Sequence, residues 1–219
     1  MAKSAAVVLN GRIEDPAYYE KKLEGADITL AADGGAELFL RLDTAPDYVI
    51  GDFDSLDEVK IDSLKNMGAE LIKHPVEKDE TDAELCLDFM KEKGVEEAVL
   101  LASLGGRIDQ ELANIFLLEY SFKLGISSVI REKEVEVGLI FNHRIITGEK
   151  GSRLSLLPLD SRVKNISISG CKYTAENLDM NRYKTRGLSN KITEHRAEIT
   201  LDDGILIYII DSSKTVRGE

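Results

Sequence analysis

The hydrophobic pattern changes its period partway along the chain, and that change restricts the fold more than any other feature. Up to about residue 130, short apolar runs alternate with longer amphipathic segments. The runs at 5–9, 28–32, 48–50, 70–73, 98–102 and 127–130 read as strands. Helix patterns lie between them at 17–23, 35–42, 56–67, 82–93 and 110–123. Two helices carry capping-box signatures, Ser55 with Glu58 and Thr81 with Glu84. Strands alternating with helices of this length imply βαβ units and a parallel sheet covered on both faces, an α/β domain over residues 1–132. Beyond Glu134 the pattern becomes short β-branched runs at 136–141, 153–157, 163–169, 197–201 and 205–210, separated by turn residues. Asp202-Asp203-Gly204 between two such runs predicts a hairpin. Residues 133–219 are therefore expected to form an all-β sandwich or barrel.

Charge narrows the partners. With 40 Asp and Glu against 28 Lys and Arg, the formal net charge is −12. Such a surface repels nucleic acid and anionic membranes, so neither is an expected partner. It also repels a triphosphate, and a nucleotide site here needs a bound cation and local Lys or Arg. Cys86 and Cys171 lack metal-ligand spacing, and Cys86 reads as a small buried hydrophobe on a helix. The N-terminal apolar run is too short for a signal peptide, and 205–210 is too short to span a bilayer. The expected location is the cytoplasm.

Ligands of open parallel sheets bind beyond the carboxyl ends of the strands, and there the unusual polar and glycine clusters fall. Asp33-Gly34-Gly35 follows 28–32, and Gly51-Asp52-Phe53-Asp54-Ser55 follows 48–50. Lys78, Asp79, Thr81 and Asp82 follow 70–73, and Gly105-Gly106-Arg107 with Asp109 follows 98–102. Alone, Asp-Gly-Gly is an ordinary βα turn. Asp52 and Asp54 either form a polar turn capping the following helix or, two apart in an extended turn, direct both carboxylates to one side with a cation between them. Mg²⁺ fits, because it takes one or two protein carboxylates and leaves room for water and phosphate. Asp82 either complements a helix dipole or completes that coordination. The glycines and Arg107 before a helix start suit a phosphate, yet neither a P-loop nor GxGxxG is present. His74 falls near the same edge, a candidate substrate contact, while His143 and His195 read as β-domain residues. No Ser-His-Asp order is visible.

Taken together, the four clusters resemble the motifs of the thiamin pyrophosphokinase family, Ala32 to Ala36, Gly51 to Ser55, Lys78 to Asp82 and Gly105 to Gln110. Gly170-Cys171-Lys172-Tyr173 and Arg186-Gly187-Leu188-Ser189-Asn190 extend the likeness through the second half. The resemblance implies a Rossmann-like N-terminal domain, a C-terminal β-sandwich and a homodimer, with thiamin held between the α/β domain of one subunit and the β domain of the other. It implies that Asp52, Asp54 and Asp82 hold Mg²⁺ with Asp33 nearby. Gly34, Lys78, Thr81, Gly105, Gly106 and Gln110 join the nucleotide site, and Arg107 and Asp109 meet the triphosphate. Ser189 and Asn190 line the thiamin pocket. Two departures stand out. Gln110 sits where many bacterial members carry His, and the chain has no Trp, which some relatives stack on thiamin. Tyr173 or Tyr183 is the available replacement.

The chemistry so implied is attack by the thiamin hydroxyl on the β-phosphorus of ATP, with AMP leaving and Asp33 or Asp109 receiving the proton. The catalytic set is Asp54, Asp82, Arg107 and Asp109. The rivals are a pyrophosphokinase acting on another hydroxymethyl heterocycle such as a pterin, a non-catalytic nucleotide- or thiamin-binding regulator, and an ordinary kinase releasing ADP.

Overall fold

A computed structural model describes residues 2–77 and 79–213 of the 219-residue chain. Its internal contacts divide into two compact units, Met1–Glu132 and Lys133–Glu219.

In the first unit the strands are β1 (Ser4–Val8), β2 (Ile28–Ala32), β3 (Tyr48–Gly51), β4 (Glu70–Lys73), β5 (Glu97–Leu101) and β6 (Ser127–Arg131). All pair in parallel in the order β6-β5-β1-β2-β3-β4. The chain builds outward from β1 to β4 and then returns to the other side of β1 to lay down β5. The reversal leaves a topological switch point between β1 and β5, where open α/β sheets bind ligands. The helices are α1 (Pro16–Leu23), α2 (Ala36–Arg41), α3 (Glu58–Asn66), α4 (Asp82–Glu92) and α5 (Ile108–Lys123). Ala6, Val8, Ala31, Val49 and Leu101 of the sheet share one buried cluster with Leu38, Phe39 and Leu64 of the helices. Each of the larger side chains stabilises the unit by about 2 kcal/mol through removal from water. Cys86 is fully buried on α4, as its apolar neighbours predict, and both cysteines are free thiols.

Local signals account for the helix ends. Pro16 opens α1, where its missing N–H costs nothing. Thr81 caps α4 by accepting the Glu84 N–H at 3.2 Å. Ser55 does not cap α3. Asp57 does, accepting the Lys60 N–H at 2.8 Å, because it directly precedes the helix while Ser55 turns its hydroxyl to Asp54.

The second unit contains β7 (Val135–Ile140), β8 (His143–Thr147), β9 (Arg153–Pro158), β10 (Arg162–Ser169), β11 (Ala175–Asn181), β12 (Asn190–Lys191), β13 (Arg196–Thr200) and β14 (Leu206–Asp211). Antiparallel pairing gives one sheet in the order β12-β9-β14-β7 and another in the order β11-β10-β13-β8. A single buried cluster takes Leu154, Leu156, Leu206 and Tyr208 from the first sheet and Val163, Ile166, Ala197 and Ile199 from the second. This is a sandwich. The predicted hairpin at Asp202-Asp203-Gly204 is not formed. β13 pairs with β10 and β8, whereas β14 pairs with β7 and β9, so the segment carries the chain from one sheet to the other. Asp203 is held instead by β10, accepting the Lys164 N–H at 2.9 Å and pairing with its ammonium at 2.7 Å. Among the described residues, no helix is long and apolar enough to cross a membrane.

Candidate active site

Within the first unit, a cavity of about 470 Å³ opens at the carboxyl ends of the parallel strands. Its lining draws on every loop the switch point brings together: Asn10 and Gly11 after β1, Asp33 after β2, and Asp52, Asp54 and Ser55 after β3. Thr81 and Asp82 come from the start of α4. Ser103, Gly106 and Arg107 follow β5, and Gln110, Glu111 and Asn114 belong to α5.

The backbone is forced into the left-handed region at three of these strand ends, Asp33 (φ 43°), Phe53 (φ 67°) and Ala102 (φ 49°). Such conformations cost about 1–3 kcal/mol each and gather where function requires them. Phe53 shows how the strain is held. Its side chain is buried in the core, which fixes the turn, and the Asp54 N–H donates back to the Asp52 carboxylate at 3.0 Å. The extended turn predicted for Asp52 and Asp54 is thus a tight Asx-type turn, although both carboxylates still reach the same place. Gly35 is needed for close approach, since a Cβ there would lie 2.1 Å from the Val8 carbonyl oxygen.

One carboxylate oxygen from each of Asp33, Asp52 and Asp54 lies within 4.8 Å of the others. Asp33 is only 5% exposed. Burial pushes its carboxyl above the usual carboxylate range, and the charges of Asp82 and Asp52 add to the push against the Ser55 hydroxyl and the Gly34 N–H. Among the described residues, the buried side-chain oxygens without a hydrogen-bond partner are Asp33 Oδ1 and Ser103 Oγ, and both residues line this cavity. Orphaned buried acceptors and crowded like charges are unfavourable unless a ligand completes them. The donor set is all oxygen, which suits a hard cation such as Mg²⁺. Asp82 lines the same cavity without joining the three-carboxylate group.

The β5–α5 turn differs from its sequence reading in one respect. The N–H groups of Gly105 and Gly106 both donate to Glu111 Oε1, each at 2.9 Å. The Arg107 guanidinium forks onto Asp109 at 3.2 and 2.6 Å and holds that carboxyl below its usual range. These anion-binding groups are therefore already matched by carboxylates from the first turn of α5, and an anion that uses them must displace those carboxylates. Gln110 lines the cavity and its N–H donates to Asp109 at 3.0 Å. Gly34 packs under the Asn10 side chain, and a Cβ there would meet the amide at 2.6 Å. His74 is not among the lining residues, and Lys78 lies outside the described residues.

In the second unit, Ser189 is exposed at φ 58°, its N–H donating to Ser155 Oγ at 3.1 Å. Asn190 is buried, and its side chain grips the Tyr173 backbone, accepting the N–H at 3.0 Å and donating to the carbonyl at 2.7 Å. Tyr173 and Tyr183 are 62% and 79% exposed, each with a lysine ammonium over its ring, so neither serves the core. His143 pairs with Glu198 across neighbouring strands at 3.0 Å.

Sequence reading missed Asn10, Gly11, Glu111 and Asn114. The first two were within reach, because Asn10-Gly11 follows a strand as directly as the other clusters do. Glu111 and Asn114 carry no local signal, since their roles depend on the path of the turn.

Comparison with known proteins is consistent along the length. Residues 19–130 match the family model described as the thiamin pyrophosphokinase catalytic domain, and residues 142–206 match its vitamin B1 binding domain. A thiamine pyrophosphokinase of Bacillus subtilis is 28% identical over 182 residues, covering 82% of this chain and 85% of the relative. Thiamine pyrophosphokinase 1 of Oryza sativa subsp. japonica is 28% identical over 231 residues, covering 94% and 86%. The crystal structure of the Bacillus subtilis thiamine pyrophosphokinase superposes with a TM-score of 0.85 at 25% identity, covering 96% of this chain and all of the other. That of thiamin pyrophosphokinase from Geobacillus thermodenitrificans gives 0.84 at 22%, covering 98% and 100%, and supports the fold.

Proposed function

The chain belongs to the thiamin pyrophosphokinase family, an enzyme family that forms thiamin diphosphate, and from that membership we propose that it transfers the pyrophosphoryl group of ATP to the hydroxyl of thiamin with Mg²⁺, releasing AMP. One observation carries the nucleotide half of the reading. Asp33, Asp52 and Asp54 bring three carboxylate oxygens within 4.8 Å of one another in a cavity that Gly106 and Arg107 also line. These aspartates would hold Mg²⁺, with Asp82 beside them. The bound ion supplies charge neutralisation at the phosphate oxygens.

The rest falls to the protein. Arg107, released from Asp109, grips phosphate oxygens bidentately, and the N–H groups of Gly105 and Gly106 donate to a phosphate oxygen in the position Glu111 now fills. Gly34, Thr81 and Gln110 shape the same nucleotide site. The thiamin hydroxyl oxygen bonds to the β-phosphorus as the bond from that phosphorus to the α,β-bridging oxygen breaks. The electron pair leaves with AMP, and the hydroxyl proton passes to Asp33 or Asp109. Such a reaction asks mainly for alignment and electrostatic stabilisation.

For the acceptor, residues 142–206 match the vitamin B1 binding model, and we assign the thiamin contacts to Ser189 and to the exposed Tyr173 that Asn190 holds in place. The proposal includes a homodimer and a cytoplasmic location, where ATP is at hand. Incubation with ATP, Mg²⁺ and thiamin, followed by product identification, should yield AMP and thiamin diphosphate in equal amounts. ADP would make it an ordinary kinase, AMP formed only with a hydroxymethyl-pterin would change the acceptor, and no turnover would refute the reading. Sedimentation tests the dimer.

A further inference from the structure

Four consecutive backbone N–H groups, from Ser103 to Gly106, end on just two carboxylates. The last two go to Glu111 at the cavity. The first two go to Glu132, which follows β6 and does not line the cavity. Glu132 Oε1 accepts the Ser103 N–H at 2.7 Å and the Leu104 N–H at 3.3 Å. Its other oxygen accepts the hydroxyl of Tyr19, a buried residue of α1, at 2.5 Å. The Glu132 main-chain carbonyl accepts the Tyr18 hydroxyl at 2.6 Å. From the opposite side, the Asn114 amide donates to the Ser103 carbonyl at 2.9 Å. Ser103 is thus pinned at both its N–H and its carbonyl, and its Oγ has no partner at the cavity among the described residues.

A carboxylate out of water is unfavourable unless every oxygen is matched. Burial indeed pushes the Glu132 carboxyl up, against the hydrogen bonds that Tyr19, Ser103 and Leu104 give it. A plain hydrophobic residue would fill this volume at lower cost, but it could not orient two successive N–H groups. The strand end also needs orienting, because Ala102 is left-handed and Gly105 follows at φ 85°.

We propose that Glu132 is a positioning residue for the nucleotide site, holding the β5–α5 turn so that Ser103, Gly106 and Arg107 face the bound phosphates. The inference rests on the function proposed above and names a residue remote from the substrate. Two substitutions separate reach from charge. Glu132→Asp keeps the charge but is one methylene short of the turn. Glu132→Gln keeps the reach, with its amide oxygen still able to accept both N–H groups and its NH₂ able to donate to Tyr19. Affinity for α,β-methylene ATP with Mg²⁺ is measured by calorimetry, alongside KM for thiamin. Glu132→Asp is expected to weaken the analogue about tenfold while thiamin KM stays within about twofold. Glu132→Gln should stay within about threefold for both. Normal analogue affinity in Glu132→Asp overturns the proposal, as does equal loss in the two variants or an equal rise in both substrate constants. Failure of the wild-type protein to bind the analogue would refute the nucleotide site itself, and the two failures are therefore distinguishable.

Discussion

Asp33→Asn should stabilise the metal-free protein while abolishing its turnover. Asn tolerates the left-handed conformation that Asp33 adopts (φ 43°) at least as well as Asp does. Its amide oxygen can still accept from Ser55 or Gly34, and its NH₂ can donate to the neighbouring carboxylates. What disappears is like-charge crowding. At the 4.8 Å limit that bounds the three oxygens, two unit charges repel by about 3 kcal/mol at an effective dielectric constant of about 20. Asp54 is exposed and Asp52 only half-buried, so water lowers the gain to about 1–2 kcal/mol in all. For a chain of this size that is a rise in Tm of about 2–8 °C.

The sign of the pH dependence follows from the raised Asp33 carboxyl. Below the unfolded-state value, Asp33 is protonated in both states and its substitution changes little. As pH rises through the higher folded-state value, the wild type alone acquires the buried charge, so the advantage of the variant grows towards neutral pH. Magnesium should reverse the ranking. At a hundredfold excess over its Kd, a ligand of the folded state stabilises by about 2.7 kcal/mol, and the variant should forfeit most of this. Thermal unfolding in EDTA and in Mg²⁺, at pH 7 and at pH 3.5, gives all four comparisons. A variant that melts below the wild type in EDTA at pH 7, or responds to Mg²⁺ just as strongly, would refute the reasoning.

Three further outcomes are expected. Asp54→Asn, at an exposed turn position, should lower turnover at least about a hundredfold with little change in Tm, which steady-state kinetics at ordinary Mg²⁺ will check. Glu111→Ala frees the Gly105 and Gly106 N–H groups, so inhibition by inorganic pyrophosphate, which resembles the transferred group, should tighten about fivefold; an unchanged inhibition constant would mean that anions do not use that pair. Gly35→Ala drives a Cβ to 2.1 Å from the Val8 carbonyl and should cost about 3 kcal/mol or more, read as a lost or strongly lowered unfolding transition.

Most of the α/β framework is legible in the sequence because its signals are local. The strand run 28–32 coincides with β2, since a buried parallel strand is a nearly continuous apolar run that needs no partner to be recognised, and 70–73 coincides with β4 at the sheet edge, where Leu71 and Ile72 alone carry the signal. The rule that ligands gather beyond strand carboxyl ends brought Asp33, Asp52, Asp82 and Arg107 to one rim, and the cavity is there. The sandwich was less legible. β8 and β11 escaped because one face of each is polar and their runs are short, as in Ala175-Glu176-Asn177-Leu178. The Asp-Gly turn at 203–204 misled because turn chemistry fixes a reversal, not which sheet the next strand joins. Asn190 is similar. Its sequence neighbourhood points to a ligand contact, while its amide is spent on the Tyr173 backbone, a pairing 17 residues away.

The charge problem raised by composition has a local answer in the β5–α5 turn. A chain of net charge −12 gives a triphosphate no long-range attraction, so selectivity must arise where donors converge. The donors there are strong, with four successive N–H groups and one guanidinium, and left open they would attract any anion. Instead each is matched from within, the inner pair by Glu132, the outer pair by Glu111 and the guanidinium by Asp109. Exposure separates their roles. Glu132 is drawn into the fold by the buried Tyr19 hydroxyl, whereas Glu111 and Asp109 stand at the cavity end of α5 and can swing into water at little cost. Under the proposed function, a single phosphate displacing one of them gains little, because it exchanges one anion for another on the same donors. A metal-bound triphosphate displaces both and also neutralises the crowded aspartates across the cavity, a gain that inorganic phosphate cannot match. Discrimination between ATP and smaller anions should therefore fall when Glu111 is removed, even where affinity for the smaller anions rises.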